Sequence, residues 1–224
     1  MDREIQITKD GSKTLYIKEL NENYHSLHGA LQEAQHVFID NGIKQLDFSE
    51  IHILELGFGT GLNVLVTIDE FLKNSRYESI NYITLEKYPV IEDEILDLDY
   101  GSLFDNKSIA EFNKKIHQAP WETKTEILPG FYLTKIQTDF FELGTLEMPA
   151  INLVYFDCFG ARVQPDLWEK SLFELVADKM ANGGLLTTYS SKGSVRRILQ
   201  ELGFEVEKKP GPPGKREMIN ARKK

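Results

Sequence analysis

Apolar and polar positions alternate over residues 5–17, IQITKDGSKTLYI, on either side of a Lys-Asp-Gly-Ser turn. That period of two predicts a β-hairpin. The period changes in NENYHSLHGALQEAQHVFIDNGI, residues 21–43, where Leu27, Ala30, Leu31, Ala34, Val37 and Phe38 recur at helical spacing. Asn41-Gly42 is expected to stop that helix. From Ile51 onward, short apolar runs bounded by turns alternate with longer amphipathic runs. The strands predicted are IHILEL, INYITLEKYP, FYLTKIQTD, INLVYFD, GLLTTYS, FEVEKK and REMINAR. The helices are LNVLVTIDEFLKN, the acidic region 90–118, DLWEKSLFELVADKM and SVRRILQELG, the last stopping at Gly203. Strand–helix alternation implies an α/β fold. Its sheet is seven-stranded, mostly parallel and covered by helices on both faces, with the two final strands as an antiparallel hairpin. Residues 1–224 read as a single domain, with 1–49 as an N-terminal hairpin and helix and 50–224 as the core.

Composition narrows the class. The chain has 224 residues, 41% of them hydrophobic, enough for one sizeable core. No run reaches the roughly 18 to 20 apolar residues of a membrane span, and MDREIQITKDGSKT has no apolar signal region. The one cysteine excludes an intramolecular disulfide and gives no zinc-ligand pattern. A cytoplasmic protein without a metal or a membrane partner is expected. The net charge of −9 is unevenly spread: residues 190–224 carry ten Lys or Arg against four Glu, so that segment is +6 and the remainder −15. A basic end on an acidic body suits phosphate binding.

The candidate chemistry begins at Glu55-Leu56-Gly57-Phe58-Gly59-Thr60-Gly61. Glycines after a buried strand let the backbone turn sharply and approach a ligand closely. The dinucleotide fingerprint G-x-G-x-x-G is not met, because Leu62 stands where its third glycine belongs. The spacing G-x-G-x-G behind an acidic strand end resembles the first motif of Rossmann-like class I methyltransferases, which bind S-adenosylmethionine. Glu86 ends the next strand, where a carboxylate can accept hydrogen bonds from both ribose hydroxyls. The resemblance places Asp139 near the adenine and Asp157, after the fourth strand, near the reactive end of the cofactor. It implies cofactor contacts from Glu55, Gly57, Phe58, Gly59, Gly61, Asn63, Glu86, Lys87, Asp139, Phe140 and Asp157.

Asp157 and Cys158 are adjacent, so only one of them is expected to face the cofactor. If it is Asp157, Cys158 faces the core, where a lone cysteine acts as a small hydrophobe. Residues 157–160 are Asp-Cys-Phe-Gly, unlike the Asn/Asp-Pro-Pro-Tyr/Phe usual in adenine and cytosine amino-methyltransferases.

Four segments together carry a more specific resemblance: HGALQEAQHVFIDNGI (28–43), LELGFGTGLN (54–63), FDCFGARVQPDLW (156–168), and GGLLTTYSSKGSVRRILQELGFEVEKKPGPPGKREMI (183–219). They resemble the MnmC-type tRNA methyltransferases. In the third segment Ala161 stands where that family usually has Pro, and Val163 where it often has Lys.

The resemblance implies S-adenosylmethionine-dependent methylation of the 5-aminomethyl group of wobble (2-thio)uridine in tRNA. The product is 5-methylaminomethyl(-2-thio)uridine, made after separate enzymes install the aminomethyl group. Some family members carry an FAD-dependent oxidase domain; at 224 residues this chain is expected to lack it and to need no FAD. Asp157 is the expected catalytic residue, accepting a hydrogen bond from the amine and taking its proton. Tyr24, Glu33 and Phe159 are expected on the substrate side, with Arg162 substituting for the missing loop lysine. Arg196, Arg197, Lys215 and Arg216 are expected to meet phosphates of the anticodon arm, in company with Lys192, Lys208 and Lys209. Two other readings stay open: a methyltransferase of this fold acting on a small-molecule amine or a protein, and a catalytically silent cofactor-binding module.

Overall fold

A computed structural model describes residues 3–224. The central sheet has eight strands: β4 (Glu50–Leu56), β5 (Ser79–Glu86), β6 (Thr125–Leu128), β7 (Phe131–Gln137), β8 (Ile151–Phe156), β9 (Met180–Thr188), β10 (Phe204–Pro210) and β11 (Glu217–Lys223). Their spatial order is β10-β11-β9-β8-β4-β5-β7-β6. β9, β8, β4, β5 and β7 run parallel, while β11 is antiparallel between β9 and β10. The closing hairpin is therefore as expected. The strand count is not: β6 pairs antiparallel with β7 and adds an eighth strand at the far edge. Its four residues, TEIL, are too few to show a period, and the turn at Gly130 (φ 85°) makes the hairpin.

The strands bury both faces, and the pleat sorts their side chains into two clusters. Ile53, Tyr82, Leu133 and Tyr155 pack with α2 (Leu62–Lys73), α4 (Ile109–Gln118) and the N-terminal helix. Leu54, Leu56, Ile83, Val154 and Phe156 pack with α5 (Lys170–Lys179) and α6 (Gly193–Glu201) on the opposite face. The acidic region forms α3 (Glu92–Leu98), a short 3-10 turn and α4.

The N-terminal hairpin, β1 (Arg3–Ile7) and β2 (Lys13–Ile17), has the expected turn, and β3 (Glu22–Asn23) adds a third strand. The following helix is shorter and less regular than its apolar spacing predicts. Leu27 lies before it and is exposed, α1 spans Ala30–Ala34, and Gln35–Asp40 continue in wider π turns. The cause is tertiary: Thr187 Oγ1 of β9 donates to Val37 O at 3.0 Å, and Phe38 packs 4.8 Å from Tyr155. The helix ends at Asn41-Gly42, where any Cβ on Gly42 would strike the Phe38 carbonyl. These contacts hold the N-terminal segment over the carboxyl ends of the parallel strands.

Candidate active site

At the carboxyl ends of β4, β5, β7 and β8 lies a cavity of about 750 Å³. Open parallel sheets characteristically bind ligands there. The turn after β4 makes its floor. Gly57, Gly59 and Gly61 all have positive φ (101°, 49° and 76°), and a Cβ on Gly57 would lie 2.8 Å from Asp157 O. Register explains that closeness: Leu56 pairs with Phe156, so Gly57 and Asp157 leave the sheet side by side. The Phe58 ring anchors the turn from below, 5.3 Å from His117 and 6.0 Å from Trp121. Buried Lys135 donates to His117 O at 2.9 Å and lies 4.8 Å from the Trp121 ring centroid. Burial pulls its ammonium down to about 8.

Glu86 stands at one end of the cavity. Its Oε2 accepts from Gly59 N at 3.0 Å and its Oε1 from Tyr88 N at 2.7 Å. Each oxygen keeps a lone pair for a ligand hydroxyl. Beside it, Lys87 Nζ donates to Asp139 Oδ2 at 2.7 Å, and Asp139 Oδ1 caps Phe141 N at 3.0 Å. The lysine hydrogen bond, followed by that cap, holds the Asp139 carboxyl below its ordinary value.

Asp157 stands at the other end. Asn63, in the first turn of α2, donates from Nδ2 to Asp157 Oδ2 at 2.8 Å. Burial pushes the Asp157 carboxyl up to about 7; the negative charge of Glu33 adds to this, while Asn63 and Lys215 oppose it. Beneath the floor, Thr84 Oγ1 donates to Glu55 Oε2 at 2.6 Å. Burial pushes Glu55 up to about 8, against the hydrogen bonds from Thr84 and Asn63. Glu55 Oε1, Asn63 Oδ1 and Tyr82 Oη are buried without another partner. The Tyr82 O–H brings one donor to this set, and a proton on Glu55 adds a second.

The N-terminal segment forms the roof. The Tyr24 ring sits over the glycine turn, 3.2 Å from where a Gly59 Cβ would be, and meets Phe159 edge-on at 5.1 Å. His25 Nε2 lies 2.9 Å from Thr60 Oγ1, and burial pulls its ring down to about 4, so it is neutral at neutral pH. Glu33 Oε2 accepts from Ser26 N at 3.0 Å. Its Oε1 meets Lys215 Nζ, brought in by the β10–β11 loop, at 2.6 Å.

The sequence-predicted residues Tyr24, Glu33, Gly57, Phe58, Gly59, Asn63, Glu86, Lys87, Asp139, Phe140, Asp157, Phe159 and Lys215 all line this cavity. Glu55 and Gly61 do not. Glu55 is fully buried under the floor and acts on the cavity through Asn63, while Gly61 begins α2 with its backbone turned toward Ile116 and His117. Arg162 also lies off the wall; it pairs with Glu22 Oε2 at 2.7 Å and Asn21 O at 2.9 Å, tying the loop after β8 to the N-terminal sheet. Arg196, Arg197 and Arg216 are outside the cavity, the last two exposed. Cys158 borders the cavity, yet it is buried in the apolar cluster that holds Leu54, Phe156 and Trp168, with its thiol pushed well above the ordinary range by burial. Sequence reasoning missed His25, Thr60 and Tyr189 on the wall. The signal for Tyr189 was its place at the end of a strand, directly after β9.

A family profile described as S-adenosyl-L-methionine-dependent methyltransferase matches residues 111–224. The tRNA 5-methylaminomethyl-2-thiouridine biosynthesis bifunctional protein MnmC of Actinobacillus pleuropneumoniae serotype 5b is 27% identical over 94% of this chain and 34% of its own. The protein of the same name from Cupriavidus metallidurans is 30% identical over 96% of this chain and 33% of its own. The chain thus spans about a third of the length of these curated relatives. The crystal structure of MNMC2 from Aquifex aeolicus superposes with a TM-score of 0.81 at 27% identity, covering 100% of this chain and 70% of that one. That of Streptomyces venezuelae DesVI gives 0.51 at 12% identity, covering 87% and 92%, a likeness of fold alone.

Proposed function

The chain belongs to the S-adenosyl-L-methionine-dependent methyltransferase family, and from that premise we propose that it methylates the 5-aminomethyl amine of wobble (2-thio)uridine in tRNA. The reading is supported by its likeness, over nearly the whole chain, to proteins named for tRNA 5-methylaminomethyl-2-thiouridine biosynthesis. It treats residues 1–224 as one methyltransferase unit. The observation that carries it is the arrangement of two carboxylates, Asp157 and Glu33, on the wall of a cavity whose other end is Glu86.

The residues fit the cofactor. Gly57 and Gly59 leave room that a Cβ would fill, and Glu86 presents lone pairs suited to two ribose hydroxyls. A volume of about 750 Å³ is ample for a nucleoside with an amino-acid tail and for part of a second ligand. Bound there, S-adenosylmethionine supplies an electrophilic methyl group on sulfur. The rest of the task is positioning and proton removal. An unperturbed alkyl amine titrates near 10.4, so it enters protonated and must lose a proton before it can act as a nucleophile. Asp157, raised to about 7, has the proton affinity of a base poised for neutral pH. Asn63 fixes one of its oxygens and leaves the other for the amine. Tyr24 and Phe159, in edge-on contact on the cavity wall, supply aromatic faces for the uracil.

The direct test is mass spectrometry of wobble nucleosides after incubating aminomethyl-bearing tRNA with the protein and S-adenosylmethionine. A gain of one methyl group on that base alone is expected. Methyl transfer to free amines or proteins, with none to tRNA, would overturn the assignment.

A further inference from the structure

The loop between β10 and β11 brings a cation to an unexpected place. Lys215 reads in the sequence as one of several phosphate-binding cations. In the structure its side chain turns inward, with Nζ 2.6 Å from Glu33 Oε1 and 3.8 Å from the centroid of the Tyr189 ring. Its charge also acts on Asp157. The surroundings are fixed more firmly than the lysine. Glu33 is held by Ser26 N, and Tyr189 is held by its hydroxyl, which donates to Cys158 O at 2.7 Å. The Glu33 side chain is 11% exposed and that of Lys215 35%, so the cation is the partner that is free to leave.

A buried carboxylate, an aromatic face and a second carboxylate nearby form a general binding seat for an ammonium group. The head of a lysine side chain is a methylene bearing an ammonium. The acceptor in the reading above is the same group, a methylene bearing a primary amine. We propose that Lys215 occupies, in the ligand-free protein, the seat that Glu33 and Tyr189 provide for the substrate's ammonium, and that the substrate enters by replacing it. This rests on the acceptor being such an amine. The seat selects for the aminomethyl group, because a uridine without it gives Glu33 no cation to replace Lys215. Once released, Lys215 lies on the same loop as exposed Arg216, where phosphates of a bound nucleic acid are within its reach.

The test uses free nucleosides, so that phosphate contacts do not enter. Titration calorimetry would compare 5-aminomethyluridine with 5-methyluridine, the protein being saturated with S-adenosylhomocysteine to prevent turnover. Lys215→Met is expected to bind 5-aminomethyluridine about tenfold more tightly than the unmodified protein. It should bind 5-methyluridine no better, and Glu33→Gln in the same background should abolish the gain. An unchanged affinity, an equal gain for both nucleosides, or a gain that survives Glu33→Gln would overturn the proposal. A measurement on the unmodified protein guards against a misfolded variant. Acetylation of Lys215, followed by mass spectrometry, should quicken when 5-aminomethyluridine binds and not when 5-methyluridine does; no quickening would likewise overturn it. If aminomethyl-tRNA is methylated but these effects are missing, only the seat is wrong. If the effects are present and no tRNA is methylated, the seat stands and the tRNA reading falls.

Discussion

Asn63 and Asp157 are joined by a 2.8 Å hydrogen bond from Nδ2 to Oδ2, although 94 positions separate them in the chain. One begins the helix after the glycine turn and the other ends the fourth parallel strand. The bond fixes the carboxylate proposed to receive the amine's proton.

Replacing Asp157 by Asn keeps an oxygen for Asn63 to donate to and removes the base. A base must be ionised to act, so with Asp157 raised to about 7 the rate should climb as pH rises through that value and then level. Asp157→Asn is expected to lower kcat by about 10²–10⁴-fold and to erase that rise, with little change in cofactor affinity. Single-turnover rates between pH 5 and 9 would measure both; full turnover with an unchanged profile would remove Asp157 from the chemistry.

Glu55 governs a separate, structural pH dependence. Its folded value, about 8, lies above its ordinary 4.5, so the folded state holds a proton that the unfolded chain has released between those values. Stability from this group is therefore complete below about 4.5 and declines as pH rises toward 8. Glu55→Gln cannot ionise, yet its amide still accepts from Thr84 and donates to Asn63. The Tm of the variant minus that of the unmodified protein should grow over that interval. A difference independent of pH would mean Glu55 is not protonated in the fold.

The basic end of the chain offers fewer free cations than its sequence suggests. Lys208 pairs with Glu217, Lys209 with Glu207, and Lys215 with Glu33. Lys192, Arg196, Arg197 and Arg216 make no ion pair among the described residues. In log–log plots of tRNA affinity against salt, Arg197→Ala and Arg216→Ala should each lower the slope by about 0.7–0.9, the share of one phosphate contact. Lys209→Ala should leave it nearly unchanged. A flat profile for the unmodified protein would point to a free nucleoside or small amine as substrate.

Cys158 is packed rather than presented. Cys158→Ala should retain full turnover and cost about 1 kcal/mol of stability, from the lost contacts of one small buried group. Chemical denaturation and a methylation assay would check the two halves. Loss of activity beyond about 100-fold would instead point to a nucleophilic role for its thiol.

The parts of this molecule that could be read from sequence are those whose signal is local. β4, β5 and β8 are short, largely apolar runs buried on both faces, and the carboxylates Glu86 and Asp157 fall at the ends of β5 and β8, with Asp139 two positions past β7. β6 escaped because four residues carry no period. The helix after β3 is shorter and less regular than its apolar spacing predicts, because its π turns are set by Thr187, 150 positions away. Glu55 stands at a strand end like Glu86, yet it faces Thr84 on the neighbouring strand and not the cavity; position alone does not reveal that choice. Arg162 and Lys215 have partners, Glu22 and Glu33, that lie 140 and 182 positions away, so no local signal shows that the two cations are paired in this structure.

That last separation bears on how the molecule is made. A nascent chain that has emerged only as far as β5 already contains the glycine turn and Glu86. Asp157 follows with β8, and Lys215 reaches Glu33 only after β10 has formed. The site is thus completed in chain order, nucleotide end first and amine end last, because the lysine that closes it follows every other residue of the wall.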